Sequence, residues 1–261
     1  MTAAAITLHD LTVTYSRHPA VHHVSGEFAR GSLTAVVGPN GAGKSSLLDA
    51  MVGRIPAASG RIDIARDLQG RIAYLPQQSQ IDRSFPVRVL DVALLGHWSR
   101  LRWWSGAKPA QHTQALQALA TVGLSGFEDR WVNEMSVGQF QRLLFARLLL
   151  QDAPVILLDE PFTAIDERTC ADLLGLVQRW HAEGRTIVAV LHDLAQVRTH
   201  FPDALLLARE AVAWGPTGEA LSPQHLARAR EISLHWDNHA AWCDLPAPST
   251  QVSAPESVRS V

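Results

Sequence analysis

Gly38-Pro39-Asn40-Gly41-Ala42-Gly43-Lys44-Ser45 is the stretch that decides the fold. Its spacing, G-x-x-x-x-G-K-[ST], builds a loop around a triphosphate. It follows the apolar run Leu33-Thr34-Ala35-Val36-Val37, which reads as a buried strand. It precedes residues 46–52, which read as a helix ended near Gly53. The glycines let backbone N–H groups turn inward and approach phosphate oxygens with no Cβ in the way. The helix N-terminus adds unpaired donors and its positive dipole end. Lys44 supplies a point charge for the β- and γ-phosphates, and the Ser45 hydroxyl is placed to hold Mg²⁺. Pro39, Asn40, Ala42 and Ser46 complete the set expected to line the nucleotide. The plain alternative, a glycine turn between strand and helix, gives way because motif and context agree.

Working outward, the 261 residues suffice for one full α/β domain, or for one with a smaller inserted lobe. A hydrophobic share of 47% and a charged share of 18% are ordinary for a folded globular chain. The net charge of -2 leaves no electrostatic footprint for nucleic acid, so no nucleic-acid partner is expected. No apolar stretch is long enough to span a bilayer, so a membrane role is expected to come through a partner. The N-terminus shows no basic region followed by an apolar core. Cys170 and Cys243 stand far apart and outside any metal-like spacing, which fits a reducing cytoplasm. Residues 246–261, rich in Pro, Ser and Ala, are expected to be a disordered tail.

The alternation through Ile6-Thr7-Leu8-His9-Asp10-Leu11-Thr12-Val13-Thr14-Tyr15 predicts a half-buried strand, and a second is expected over 21–28, turning at Arg30-Gly31. Residues 60–64 and 71–75 read as two more short strands. From about 86 to 151 the character becomes helical, with one apolar face on Val89, Val92, Ala93 and Leu94 and another on Ala115, Leu116, Leu119, Ala120 and Val122. The continuous apolar runs 154–158 and 186–191 fit buried parallel strands, and with the helix expected over 168–181 they make a βαβ unit. A helical block is thus expected inside an α/β nucleotide-binding core.

The candidate chemistry sits at strand ends. Val155-Ile156-Leu157-Leu158-Asp159-Glu160 places two carboxylates at the C-terminal end of a buried strand, where ligands of open α/β sheets bind. Asp159 is expected to hold Mg²⁺ through water, and Glu160 to polarise the attacking water as general base. The alternative is that they cap the helix that follows. His192 ends the next apolar strand, either as a structural residue or as one that reaches the γ-phosphate or orients the water. Gln77, at another strand end, is either a turn residue or a sensor of Mg²⁺ and the water, and Gln78 beside it blurs that choice. Tyr15 either stacks on an adenine ring or packs in the core. Ser136 and Gln139 have the S-x-x-Q spacing of a capping box on a helix running to about Leu150. The same helix end could also offer Ser136 and the Gly138 backbone to a phosphate, and the two readings are compatible.

With these pieces in order, residues 6 to 230 resemble the ATP-binding subunits of ABC transporters. Residues 38–45 match the family's Walker A motif, and Val155 to Asp159 followed by Glu160 match its Walker B. Tyr74-Leu75-Pro76-Gln77 matches the Q-loop, Ala164-Ile165-Asp166 the D-loop, Leu191-His192-Asp193 the switch histidine, and Tyr15 the aromatic A-loop position. The resemblance implies a P-loop NTPase core with an N-terminal antiparallel β region and an inserted α-helical subdomain at about 86–151, all within residues 1–245. It implies ATP and Mg²⁺ as cofactors, with Ser45, Gln77 and Asp159 toward the metal and Glu160, His192 and Gln77 toward catalysis. It also implies a second ATP-binding subunit whose Ser136, Gly138 and Gln139 complete each site, with Asp166 at the subunit contact. The other implied partners are polytopic membrane permease subunits and, indirectly, a periplasmic or lipid-anchored solute-binding protein. The implied location is the cytoplasmic face of the cell membrane, held there by the permease.

One departure stands out. The family signature usually reads Leu-Ser-Gly-Gly-Gln, and here it is Met135-Ser136-Val137-Gly138-Gln139. Leu to Met is a mild swap. Val137 falls in the first helical turn, where its backbone is allowed but its branched side chain is expected to crowd the closed dimer and weaken hydrolysis. The segment Gln80-Ile81-Asp82-Arg83-Ser84-Phe85-Pro86-Val87-Arg88-Val89-Leu90-Asp91-Val92 is similar to that of zinc- and manganese-type importer ATPases. Iron or iron-chelate import and a non-transport ATP switch remain the alternatives. Leu101-Arg102-Trp103-Trp104 reads equally as a membrane- or subunit-facing loop and as one anchored on the helical lobe. His225, His235, His239 and Cys243 raise a metal-sensor reading against that of scattered surface histidines.

Overall fold

The computed structural model describes residues 3–15, 18–78, 81–100 and 107–235. In chain order the elements begin β1 (Ala4–Tyr15), β2 (His18–Ala29), β3 (Leu33–Val37), α1 (Lys44–Met51), β4 (Ser59–Ile64) and β5 (Ile72–Leu75). Helices follow: α2 (Val89–Leu94), a 3-10 turn over Leu95–Arg100, α3 (Pro109–Thr121) and α4 (Val137–Gln151). The chain then returns to the sheet through β6 (Val155–Asp159), α5 (Glu167–Ala182), β7 (Thr186–Val190) and α6 (Leu194–His200). It ends in β8 (Asp203–Ala208), β9 (Glu210–Pro216), α7 (Thr217–Ala220) and α8 (Pro223–His235).

Two sheets result. The smaller is antiparallel with order β2-β1-β4, and the larger has order β5-β6-β7-β3-β8-β9. In the larger sheet β5, β6, β7, β3 and β8 pair in parallel, and β9 is antiparallel to β8. The period-2 alternation of side chains divides its buried strands between two cores. Leu33, Ala35, Val37, Ile156, Leu158, Ile187 and Ala189 join the core shared with α3, α4 and α5. Val36, Val155, Leu157, Val188 and Val190 face the other core, with α1 and the antiparallel sheet. In the first core the rings of Phe145 and Trp180 stack with centroids 5.8 Å apart, tying α4 to α5.

Two details differ from the sequence expectation. On α3 the buried positions are Ala115, Ala118, Leu119 and Val122, whereas Leu116 is 42% exposed and Ala120 faces outward. The buried set has the i, i+3, i+4, i+7 spacing of one helical stripe, and Leu116 lies one step round from it. The two strands and three helices after β7 add to the expected elements, and β8 pairs directly with β3. Residues 101–104, His239, Cys243 and the tail 246–261 lie outside the described residues, as do the side chains of Tyr15 and His235.

Candidate active site

The strand order itself assembles the site. β5, β6 and β7 are neighbours, so the residues that follow their C-terminal ends, Gln77, Glu160 and His192, come out side by side. Gln77 Nε2 donates to Glu160 Oε2 at 3.0 Å, and His192 Nε2 lies 2.6 Å from Glu160 Oε1. Thr163 Oγ1 stands 3.4 Å from Glu160 Oε2. Glu160 adopts the left-handed region at φ 50°, a conformation that costs on the order of 1 kcal/mol for a non-glycine residue. Its N–H bonds Val190 O at 3.2 Å, which holds the turn against β7.

β3 lies beside β7, and the loop 38–45 leaves its C-terminal end. Two glycines of the loop are fixed by what surrounds them. A Cβ on Gly38 (φ 154°) would stand 1.9 Å from Leu207 O, and one on Gly43 (φ 88°) 2.0 Å from Ala20 O. Gly43 is the N-cap of α1, which has no side-chain cap and no acidic residue in its first turn. That end therefore keeps its unpaired donors and positive dipole for an anion. Lys44 Nζ donates to Gly38 O and Pro39 O, each at 2.9 Å, and so braces the loop from inside. Burial pushes the Lys44 pKa down, opposed by the charges of Glu160 and Asp159. An open cleft of about 540 Å³ lies between this loop and Gln77, Glu160 and His192, with Ala20 of β2 on its rim.

Asp159 carries the strongest indication of a cation-binding position. It is 1% exposed, and neither carboxylate oxygen has a hydrogen-bond donor in good geometry. Burial pushes its pKa up to about 6; the nearby Ser45 hydroxyl and Lys44 pull it down, while Glu160 and Asp49 push it further up. A buried carboxylate without donors beside a hydroxyl is a hard-oxygen pair of the kind that suits Mg²⁺. Below it, Asp49 of α1 accepts from Tyr74 Oη and from Arg54 Nη1, both at 3.1 Å. This support was not foreseen from the sequence, because its three residues are brought together only by tertiary packing.

The segment 135–139 is elsewhere. Ser136 Oγ accepts from Gln139 N at 3.2 Å and Gln139 Oε1 accepts from Ser136 N at 3.0 Å, the expected capping box at the start of α4. Ser136, Gly138 and Gln139 do not line the 540 Å³ cleft. Val137 is 38% exposed and begins α4 without positive φ, and it shares a separate groove with Gln77, Gln78 and Glu160. Asp166 caps α5 by accepting from Thr169 N at 2.9 Å. The ambiguity between the paired glutamines is resolved: Gln77 turns to Glu160, whereas Gln78 Nε2 donates to Val137 O at 3.1 Å. His225 pairs through Nδ1 with Glu219 O at 3.0 Å, and no cluster suited to a metal occurs among the described His, Cys, Asp and Glu side chains.

Comparison with known proteins follows from this geometry. A family model described as ABC transporter matches residues 21–163. The zinc transport system ATP-binding protein TroB of Treponema pallidum is 37% identical over 87% of this chain and 87% of its own length. The manganese transport system ATP-binding protein MntB of Listeria monocytogenes is 39% identical over 83% of this chain and 92% of its own. Among solved structures, an inward-facing ABC transporter assigned to the metal-chelate type superposes with a TM-score of 0.78 at 27% identity, covering 88% of this chain and 90% of that one.

Proposed function

The chain belongs to the ABC transporter family and is an ABC-type ATPase, and from that premise we propose that it energises import of zinc or manganese through separate membrane subunits. The observation that carries the ATPase chemistry is the meeting of Gln77, Glu160 and His192 at the edge of the phosphate-loop cleft. The metal assignment rests on the likeness to the zinc- and manganese-system relatives over most of both chains.

In this reading the 38–46 segment holds the triphosphate on backbone N–H groups, with the Lys44 ammonium leaving its two carbonyl partners for the β- and γ-phosphates. Tyr15 stands at the adenine. Asp159, Ser45 and Gln77 would hold Mg²⁺, which would supply positive charge against the phosphates. Glu160 takes the proton of the attacking water, and His192 and Gln77 set the orientation of its carboxylate. Both of those contacts already hold Glu160, and its carboxylate oxygens keep further lone pairs for a water. Ser136, Gly138 and Gln139, which do not line their own cleft, serve a second copy in this reading, and that copy offers its own in return. The two nucleotides then bridge the copies, and loss of the γ-phosphate reopens them.

The chain has no helix long and apolar enough to cross a membrane among the described residues. In this reading the chain works at the cytoplasmic face of the membrane through its permease partners, which a solute-binding protein supplies. Uptake of zinc, manganese and iron in a deletion strain tests the substrate. Complementation by the wild type but not by Glu160→Gln, for zinc or manganese alone, is the expected result. Restoration of iron uptake instead would move the assignment to the iron alternative.

A further inference from the structure

We infer that Tyr74 and Asp49 are positioning residues for the cation: their hydrogen bond clasps α1 to β5 and so sets how far Ser45 stands from Gln77. The inference rests on the reading that Ser45, Gln77 and Asp159 hold Mg²⁺. Those three groups come from three elements. Ser45 lies in the first turn of α1, Asp159 ends β6, and Gln77 stands two residues beyond the end of β5. A cation that demands near-ideal octahedral geometry tolerates little play among its ligands. α1 packs against β1, β2 and β6, and Ser45 is thereby brought near Asp159. The link from α1 to β5 is made by side chains. Asp49 follows Ser45 by one helical turn, on the same face of α1, and is 8% exposed. Tyr74 pairs across the sheet with Leu157, and both pack in the core that holds α1. From there Tyr74 Oη donates to Asp49 Oδ1 at 3.1 Å.

Arg54 keeps the clasp closed. Its N–H donates to Asp49 O at 2.9 Å and its Nη1 to Asp49 Oδ1 at 3.1 Å, while its guanidinium lies 5.6 Å from the centre of the Tyr74 ring. A nearly buried carboxylate is thus given both a counter-charge and a phenol donor, where an unpaired one would be costly. Burial, and then the charges of Asp159 and Asp49, push the Tyr74 pKa up, so the hydroxyl keeps its proton and remains a donor. Asp49 also acts on Asp159 through its charge, which adds negative potential behind the cation position. With the clasp closed, the end of β5 that carries Gln77 is tied to the helix that carries Ser45.

Binding of a fluorescent, uncleavable ATP analogue, measured in EDTA and in excess Mg²⁺, separates this role from general support of the fold. The ratio of the two affinities is the metal's share of binding. Tyr74→Phe removes only the hydroxyl and should cut that ratio about fivefold, the worth of one hydrogen bond, with the affinity in EDTA unchanged. Asp49→Ala should cut it at least as far, and Asp49→Asn, which keeps an acceptor in place, should recover part of the loss. Tyr74→Phe added to Asp49→Ala should cost nothing more, because either change opens the same clasp. An unchanged ratio in Tyr74→Phe, an equal loss in EDTA and in Mg²⁺, or additive losses in the double variant would overturn the clasp. A wild type whose affinity ignores Mg²⁺, or an Asp159→Asn variant that keeps the wild-type ratio, would count instead against the cation reading beneath it.

Discussion

Asp159 pairs deep burial with a carboxylate that has no well-placed donor, and its raised pKa turns this into a testable dependence on pH. With a folded pKa of about 6 against roughly 3.9 unfolded, the folded chain keeps a proton that the unfolded chain has lost. Stability from this group is therefore present below about pH 4 and is lost as pH rises through 6, by up to roughly 3 kcal/mol. Asp159→Asn should raise the melting temperature of the nucleotide-free protein at pH 7 and abolish the additional stabilisation by Mg²⁺. A melting temperature lowered by the substitution would mean that Asp159 has a structural partner after all. Val137 makes the second prediction at this scale. Its branched side chain stands 38% exposed in the groove beside Glu160, and its φ does not require glycine. Val137→Gly should raise ATPase several-fold and leave ATP affinity of the single copy unchanged, at a cost of about 0.5–1 kcal/mol in helix stability. An unchanged rate would remove crowding as the reason for the departure.

Helix α4 begins with a capping box at the turn proposed to meet a second copy's nucleotide, and substitution can separate the two roles. Ser136→Ala removes the cap and should destabilise the protein by about 1 kcal/mol. Ser136→Asp keeps a capping oxygen but adds a charge that repels phosphate, so it should keep the melting temperature and lose ATP-driven association. If Ser136→Asp associates normally, the cap is the whole purpose of Ser136. At this scale the sequence was legible wherever period and punctuation agreed. The strand–loop–helix around 38–45 is seen as β3 and α1, and the two continuous apolar runs as β6 and β7, because burial on both faces leaves no alternation to misread. Strand β8 escapes the sequence reading for a physical reason: Ala204-Leu205-Leu206-Leu207-Ala208 is built from the strongest helix formers, and pairing with β3 on one side and β9 on the other makes it extended. The outward side of α3 was misjudged because Leu116 is apolar yet lies off the buried stripe. The members of the site could be named from motifs, but the 2.6 and 3.0 Å contacts on Glu160 could not, since they depend on the lateral order β5-β6-β7.

Over the whole molecule, the larger sheet acts as a frame that gathers the phosphate loop, Gln77, Glu160 and His192 at the C-terminal ends of its parallel strands, while the start of α4 stands outside the cleft they line. The phosphate loop and the Glu160 cluster line one cleft, and nothing from 135–139 lines it. In the proposed reading a single copy binds nucleotide but completes a site only for a neighbour. This division predicts that turnover depends on the concentration of copies as well as on ATP. It also gives the most direct test of the account: the molar mass of the Glu160→Gln protein in solution, measured by light scattering with and without ATP-Mg²⁺. The chain weighs 28.5 kDa, and the account predicts that mass without nucleotide and twice that mass once ATP is bound and cannot be cleaved. A Glu160→Gln protein that keeps the single-chain mass at saturating ATP, alongside a wild type that hydrolyses ATP at a rate independent of its own concentration, would contradict it.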